Sequence, residues 1–463
     1  MAQIFRKNGV VTLRINFIDK PVVRKEPFKI VFGFQATPTR LLPNQARQYS
    51  GRIRLPNTVV TSTLAGGMCW ASYGYDFFPI NHDYSYINLL KQEKNKQGDK
   101  AQYQQFVKDY MAKNCKTVAT DHLGAFERHL LRGLNYANGS DFLVPYMNAR
   151  ATMLRWPEYR VFMDEWFCSE FRANNEDDYN NSPVESYQDY LLDCIKKLLD
   201  AGLDGVYYDN IRDWTSPNMM TGPAYVLPSG KIQPYFDIFD MRNLIKRTAT
   251  LLYKEGKTFF DGRPIFVLHM TNTNLIPFTS LGGVTLDCEA NYGSTDFQER
   301  FSEDWLKISA IGIQSGSIPE VLIQITGNNI SWTSRTFLAT VLAYDINSVM
   351  NAGGLANVYF VTQRKLRNYG YGTDKVKVYP CYAPSGAVKT SADVRISEYH
   401  NVDGSKVFCI SSFGYAGDVK LEFADKFSKV EDFENGKSMS SADGKSVSFK
   451  LKKHDFKLIK ISK

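Results

Sequence analysis

The chain has 463 residues, a length that calls for two or three domains rather than one core. Hydrophobic residues make 43% and charged residues 22%, as in globular proteins, and no apolar run approaches the ~20 residues of a membrane-spanning helix. The formal charge of +8 is spread along the chain apart from Lys450, Lys452, Lys453 and Lys457, so no basic block points to nucleic acid, and a solvated basic surface is expected rather than an anionic substrate.

Taken in order, the first residues, Met1-Ala2-Gln3-Ile4-Phe5-Arg6, lack the apolar core of a signal peptide. The expectation is a secreted or periplasmic protein whose targeting segment is absent from this chain, with a cytoplasmic protein as the alternative. Residues 1–60 are strand-like and read as the remnant or edge of an N-terminal β domain. Residues 10–17 alternate well with no partner strand before them, and 28–35 form the strongest run.

From 61 to 371 short apolar runs alternate with amphipathic helices, the pattern of βα units on a parallel sheet. The clearest unit opens at Ser182-Pro183-Val184-Glu185, a capping box with proline at the first helical position. Tyr187, Tyr190, Leu191, Cys194, Ile195, Leu198 and Leu199 then recur at helical spacing, with Cys194 as a small core residue, and Gly202 ends the helix. A short buried strand follows, closing on Asp209-Asn210. Eight candidate strands centre on 69–73, 117–121, 142–148, 206–209, 265–270, 284–289, 321–325 and 347–351, with helices such as 103–113 and 240–255 between them. The expected fold class is α/β: a (β/α)₈ TIM-type barrel, which takes about 250 residues or more. A doubly wound sheet is the alternative, but the chain lacks the Gly-rich nucleotide loop that it should carry. Residues 372–463 read as a C-terminal antiparallel β-sandwich, with strands at 376–382, 392–400, 406–413, 418–423, 430–433 and 446–457 and turns at 402–404 and 441–444.

In such barrels the active site lies at the C-terminal ends of the strands. The polar residues closing each run are Tyr73 and Asp76, Asp121 and His122, Asn148 and Arg150, then Asp209, Asn210 and Arg212. His269, Thr271 and Asn272 follow, then Asp287 and Glu289, Thr326 and Asn328, and Asn351. A polar cup of this kind suits sugars, which need many donors and acceptors. Glycosidic hydrolysis needs two carboxyl groups flanking one bond, and Asp209 with Glu289 is the best pair. The adjacent pair Asp164-Glu165 is a second candidate, on the connection before the fourth strand. There the substrate's own acetamido group would attack, Asp would orient it and Glu would be the acid. Trp70, Trp166 and Trp214 are candidate stacking platforms, and Tyr73, Asp121, His122, Asn148, Arg212, His269, Asn272 and Asp287 are binding candidates. No metal or other cofactor is expected, because neither His-x-His nor His-Glu-x-x-His spacing occurs. Seven cysteines without a CxxC pair signal neither a zinc framework nor a dense disulfide scaffold. A serine nucleophile lacks its Gly-x-Ser-x-Gly elbow, and Cys288 has no histidine base near it in sequence.

The segments Phe32-Gly33-Phe34-Gln35-Ala36-Thr37-Pro38-Thr39, Gly205-Val206-Tyr207-Tyr208-Asp209-Asn210 and Leu286-Asp287-Cys288-Glu289 resemble bacterial polysaccharide-degrading proteins of the glycoside hydrolase family 123-like group. The resemblance implies a β-sandwich, a (β/α)₈ barrel and a C-terminal β domain. Members of that family are similar to β-N-acetylgalactosaminidases using an adjacent Asp-Glu pair, for which Asp164-Glu165 is the only match here. The surroundings of that pair depart from the motif, so the activity is not carried over. The expectation is a glycoside hydrolase acting on a poly- or oligosaccharide through Asp209 and Glu289. The alternatives are a carbohydrate-binding protein on a degenerate barrel, and a metal-dependent hydrolase or isomerase on the same fold using His122, His269 and the acids.

Overall fold

The computed structural model describes residues 2–18, 20–21, 23, 30–42, 60–61, 105, 109, 142–144, 146–153, 157–170, 178–200, 203–212, 214–259, 261–270, 273–289, 296–323, 329–350 and 357–463. The chain divides into two units, Met1–Ala36 and Thr37–Lys463.

In the first unit, Ala2–Lys7 pairs antiparallel with Val10–Ile15. Asn8 and Gly9 turn the hairpin with φ of 49° and 79°, the positive angles of a two-residue turn that matches strand twist. Residues 10–17 were expected to lack a preceding partner; Ala2–Lys7 is that partner. The strong run at 28–35 is not a strand where it is described, at 30–35.

The second unit is built on a six-stranded sheet of β1 (Tyr146–Asn148), β2 (Val206–Asp209), β3 (Phe266–His269), β4 (Val284–Asp287), β5 (Ile318–Ile323) and β6 (Asn347–Met350). All five pairings are parallel, and the strands stand side by side in chain order. Parallel neighbours need long crossovers. Helices Glu185–Asp200, Ile238–Lys254 and Ile330–Tyr344 supply three of them. A doubly wound sheet reverses its order at a switch point, and these six strands do not. They match the third to eighth expected strands. The first two, at 69–73 and 117–121, lie outside the described residues.

Local sequence explains these elements. Helix Glu185–Asp200 buries Tyr187, Leu191, Cys194, Ile195, Leu198 and Leu199, as its periodicity requires, while Tyr190 is half-buried and Gln188 joins the buried side. The expected capping box is not formed. The Ser182 hydroxyl bonds that of Ser216 instead, and the helix begins at Glu185. Gly202 lies outside the described residues. Gly205 leads into β2 where a Cβ would strike the Ile265 carbonyl, so only glycine lets β2 and β3 close up there.

The two sheet faces differ. One packs Tyr207, Val267, Val284, Leu286 and Ile318 with Val144 and Phe259. The other meets helices: the Tyr208 hydroxyl bonds Thr248, and Val321 packs with Phe337 and Leu338. From Val376 onward two antiparallel sheets, of six and three strands, enclose a core of Phe408, Ile410, Val419, Leu421, Val447 and Ile459. The single strand expected at 446–457 is two, Ser446–Leu451 and Phe456–Ser462, reversing where His454 takes a φ of 62°. Helix Ile330–Tyr344 joins the α/β part to these sheets. Its Leu342 carbonyl accepts from Ser397 and Tyr399, and Arg335 bridges Glu434 and Asp455.

Candidate active site

The register of the parallel sheet places one row of side chains across it. Asn148 pairs with Asp209, His269 with Leu286, Leu286 with Glu320, and Glu320 with Asn347. Because Leu268 pairs with Tyr208, the next step along both strands sets His269 beside Asp209. Side chains two residues apart share a face. The row below therefore holds Tyr207, Val267, Val284 and Ile318. Within one pleat the face passes from a mostly apolar layer to one in which five of six residues are polar.

His269 joins the two acids. Its Nδ1 lies 3.1 Å from Asp209 Oδ1 and its Nε2 3.2 Å from Glu289 Oε2. The Glu289 contact is close but poorly directed, an ion pair rather than a hydrogen bond. Nδ1 also lies 2.6 Å from the Tyr207 hydroxyl. Burial pulls the imidazole down, but Asp209 and then Glu289 outweigh it and hold His269 up at about 10. At neutral pH it is therefore a cation between two carboxylates. Burial, then the charges of Asp209, Glu289 and Glu320, push Tyr207 well above the usual phenol range, so it stays an uncharged hydroxyl. His269 is buried, while the Asp209 and Glu289 side chains are 15% and 26% exposed, so the acids open outward above a closed floor.

Backbone geometry aims both acids. Asn210, directly after Asp209, has a φ of 55°, and Cys288, directly before Glu289, has a φ of 61°. Each turns the chain out of its strand next to a carboxylate, in a conformation unfavourable for a residue with a Cβ. The Asn210 and Cys288 amides are capped by the Asp209 and Asp287 carboxylates at 2.8 and 2.9 Å. Behind the first turn, Arg150 is fully buried and forked onto Asp237 at 2.5 and 2.9 Å. The same guanidinium donates to the Asn210 and Arg212 carbonyls at 3.2 and 2.7 Å. Arg150 is thus a clamp on the loop that follows Asp209. Besides His269 Nε2, the buried Nδ2 of Asn148 has no hydrogen-bond partner among the described residues, while its Oδ1 accepts from the Arg150 amide.

Of the expected residues, the structure brings together Asp209, Glu289, His269 and Asn148. Arg212 and Trp214 follow β2, with the guanidinium 4.4 Å from the Trp214 ring centre. Asp287 corrects its expected place. Two residues from Thr285 and one from Leu286, it falls on the opposite face and lines a small polar cavity with Asn274, Thr279, Thr285 and Ser309. Asp164 and Glu165 lie in helix Pro157–Trp166 rather than a loop; Asp164 is exposed, and Glu165 accepts from Ser186 at 2.6 Å. Trp166 is no sugar platform, being fully buried against Tyr187 and Tyr190. Trp70, Tyr73, Asp76, Asp121, His122, Thr271, Asn272, Thr326, Asn328 and Asn351 lie outside the described residues. Sequence reasoning missed Tyr207, Asp237 and Glu320. Tyr207 was available as the residue one pleat before Asp209. Glu320 was hidden because the strand was expected to start at 321, whereas it starts at Ile318.

Among the described residues, one group has the donors and spacing for a metal: Asp296, Glu299 and His454, with ligand atoms within 4.8 Å of one another. Two of these already bond each other, His454 Nδ1 to Asp296 Oδ2 at 2.7 Å, and Asp296 also accepts from Trp332. They tie residue 296 to the C-terminal sheets.

No protein-family model matches the chain, and no curated protein matches it. Among solved structures it is similar to a noncanonical maltogenic α-amylase from Thermotoga neapolitana, at 12% identity over 73% of this chain and 81% of that one, with a TM-score of 0.42. It is also similar to a GH27 β-L-arabinopyranosidase from Geobacillus stearothermophilus, at 11% identity over 72% and 75% of the chains and a TM-score of 0.44. A third is an α-amylase from Geobacillus thermoleovorans complexed with acarbose, at 10% identity over 92% and 99% and a TM-score of 0.44.

Proposed function

We propose that this chain is a glycoside hydrolase whose parallel sheet closes into an eight-stranded barrel, with Asp209 and Glu289 as its carboxyl pair. The observation that carries the reading is the single imidazole between those two acids, 3.1 Å from one and 3.2 Å from the other. Two carboxyl groups flanking one bond are the minimum that glycosidic cleavage needs. An imidazole's width keeps them apart, and its positive charge offsets their repulsion. A binding protein on a degenerate barrel has no use for a second acid there.

The environments divide the roles. Asp209 accepts from the Asn210 amide and faces Nδ1 of the imidazolium, so its negative charge is met from two sides. It is the carboxylate that attacks the anomeric carbon or activates the water that does. Glu289 is the more exposed of the two, at 26% against 15%, and it is the acid that protonates the leaving oxygen. His269 touches neither reacting atom in this scheme. It positions both carboxylates. Asn148 Nδ2 and Arg212 offer donors to sugar hydroxyls.

A screen of neutral and acidic aryl glycosides and oligosaccharides, with and without chelator, tests the reading. Release of free sugar at a rate indifferent to chelator is expected. Turnover that needs an added metal, or none of any glycan, would overturn it.

A further inference from the structure

Glu320 has no role in the scheme above, and its surroundings are unusual for a carboxyl group. It stands in the polar row between Leu286 and Asn347, on the face that carries Asp209 and His269. It is 8% exposed, and the residue one pleat below it, Ile318, belongs to the apolar core. Among the described residues neither a hydrogen bond nor an ion pair stabilises its charge; burial pushes it up to about 7. Among the described residues, the ionisable groups on the same face are Tyr207, Asp209, His269 and Glu289, and Tyr207 feels the Glu320 charge.

An ionised carboxylate in such a place is expensive, so the group is held neutral below about pH 7. A neutral carboxyl is one O–H donor with acceptor capacity beside it. Buried polar groups are nearly always satisfied. Because this one faces the site, the missing partner is a molecule that enters the site.

We infer that Glu320 is a third carboxyl of this site, which meets a hydroxyl of the bound sugar as an uncharged donor. The inference rests on the glycosidase reading for its substrate and on the row for its geometry. A hydroxyl both accepts from the Glu320 O–H and donates to its carbonyl oxygen.

Difference infrared spectra of the full chain, with glucose, galactose, arabinose and galacturonate as probes, test it against Glu320→Gln and Glu320→Leu. The wild type should show a protonated-carboxyl band that titrates near pH 7, is missing from both variants, and moves when at least one of these sugars is added. Neutral-sugar affinity should fall about tenfold in Glu320→Leu, the scale of one lost hydrogen bond, and be largely rescued in Glu320→Gln, with its loss above pH 7 removed. A band that is absent at pH 6, or unmoved by every sugar, would overturn the inference. If the band moves with sugar but no glycan is cleaved, the glycosidase reading fails and Glu320 stands as a binding residue. If glycans are cleaved and the band does not move, the reverse holds.

Discussion

His269 Nε2 stands 3.2 Å from Glu289 Oε2 while the opposite ring nitrogen faces Asp209, so the position of Glu289 depends on a residue two strand-ends away in sequence. Removing the imidazole leaves two carboxylates facing each other without their cation, and one of them must take up a proton or swing out. His269→Asn is therefore expected to lose activity and to shift the pH profile. The stability consequence has a definite sign. The folded state holds His269 at about 10, above its ordinary 6.5, so its stabilisation is complete below about pH 6.5 and is lost as pH rises through about 10. The melting temperature of the wild type should exceed that of His269→Asn most at pH 6, with the gap narrowing toward pH 10. A gap independent of pH would show that His269 is neutral.

Glu320 makes a second pH prediction that needs no substrate. Its folded value of about 7 lies above the ordinary 4.5, so the wild type loses stability as pH rises between those two values. The difference corresponds to about 3 kcal/mol as an upper bound. Glu320→Gln escapes this loss, and its melting temperature relative to wild type should rise by several degrees from pH 4.5 to pH 8. A parallel pair of stability curves would mean that Glu320 has a charge partner.

Arg150 and Asp237 are both buried, and their forked pair also holds the carbonyls of Asn210 and Arg212. Asp237→Ala strands a buried guanidinium and should cost about 3–5 kcal/mol. The double variant Arg150→Met/Asp237→Leu should recover part of that stability but not activity, because the loop after Asp209 stays unclamped. Chemical denaturation and kinetics on the three variants separate the two effects.

The left-handed residues beside the acids make a sharper test of positioning. Asn210→Gly should be close to neutral, since glycine adopts a φ of 55° without strain. Asn210→Val should cost at least about 1 kcal/mol and reduce kcat, because a β-branched residue pulls the backbone back toward the strand and turns Asp209 with it.

Much of this was legible in the chain. The alternation of short apolar runs with amphipathic helices gave the parallel strands from 142 onward and the C-terminal antiparallel strands, since periodicity reports burial directly. The Asp209–Glu289 pairing was legible because polar residues ending buried strands have few other reasons to be there. What stayed hidden depends on register. A one-residue difference in where a strand begins decides which face a side chain takes. That is why Asp287 was expected on the site face, and why Glu320 went unnoticed inside Ile318-Pro319-Glu320-Val321. The Arg150–Asp237 fork was invisible because the partners are separated by 87 positions and nothing in either local pattern points to the other. His269 was read as a donor to sugar. Its place between two acids became clear only when three strand ends were set side by side.

The most direct measurement is turnover by Asp209→Asn and Glu289→Gln on a glycoside that the wild type cleaves, with folding checked by circular dichroism. Both variants should fall at least about 100-fold, the scale of a lost acid or base, while still binding the sugar. Wild-type turnover in either variant would contradict a mechanism shared between those two carboxyl groups.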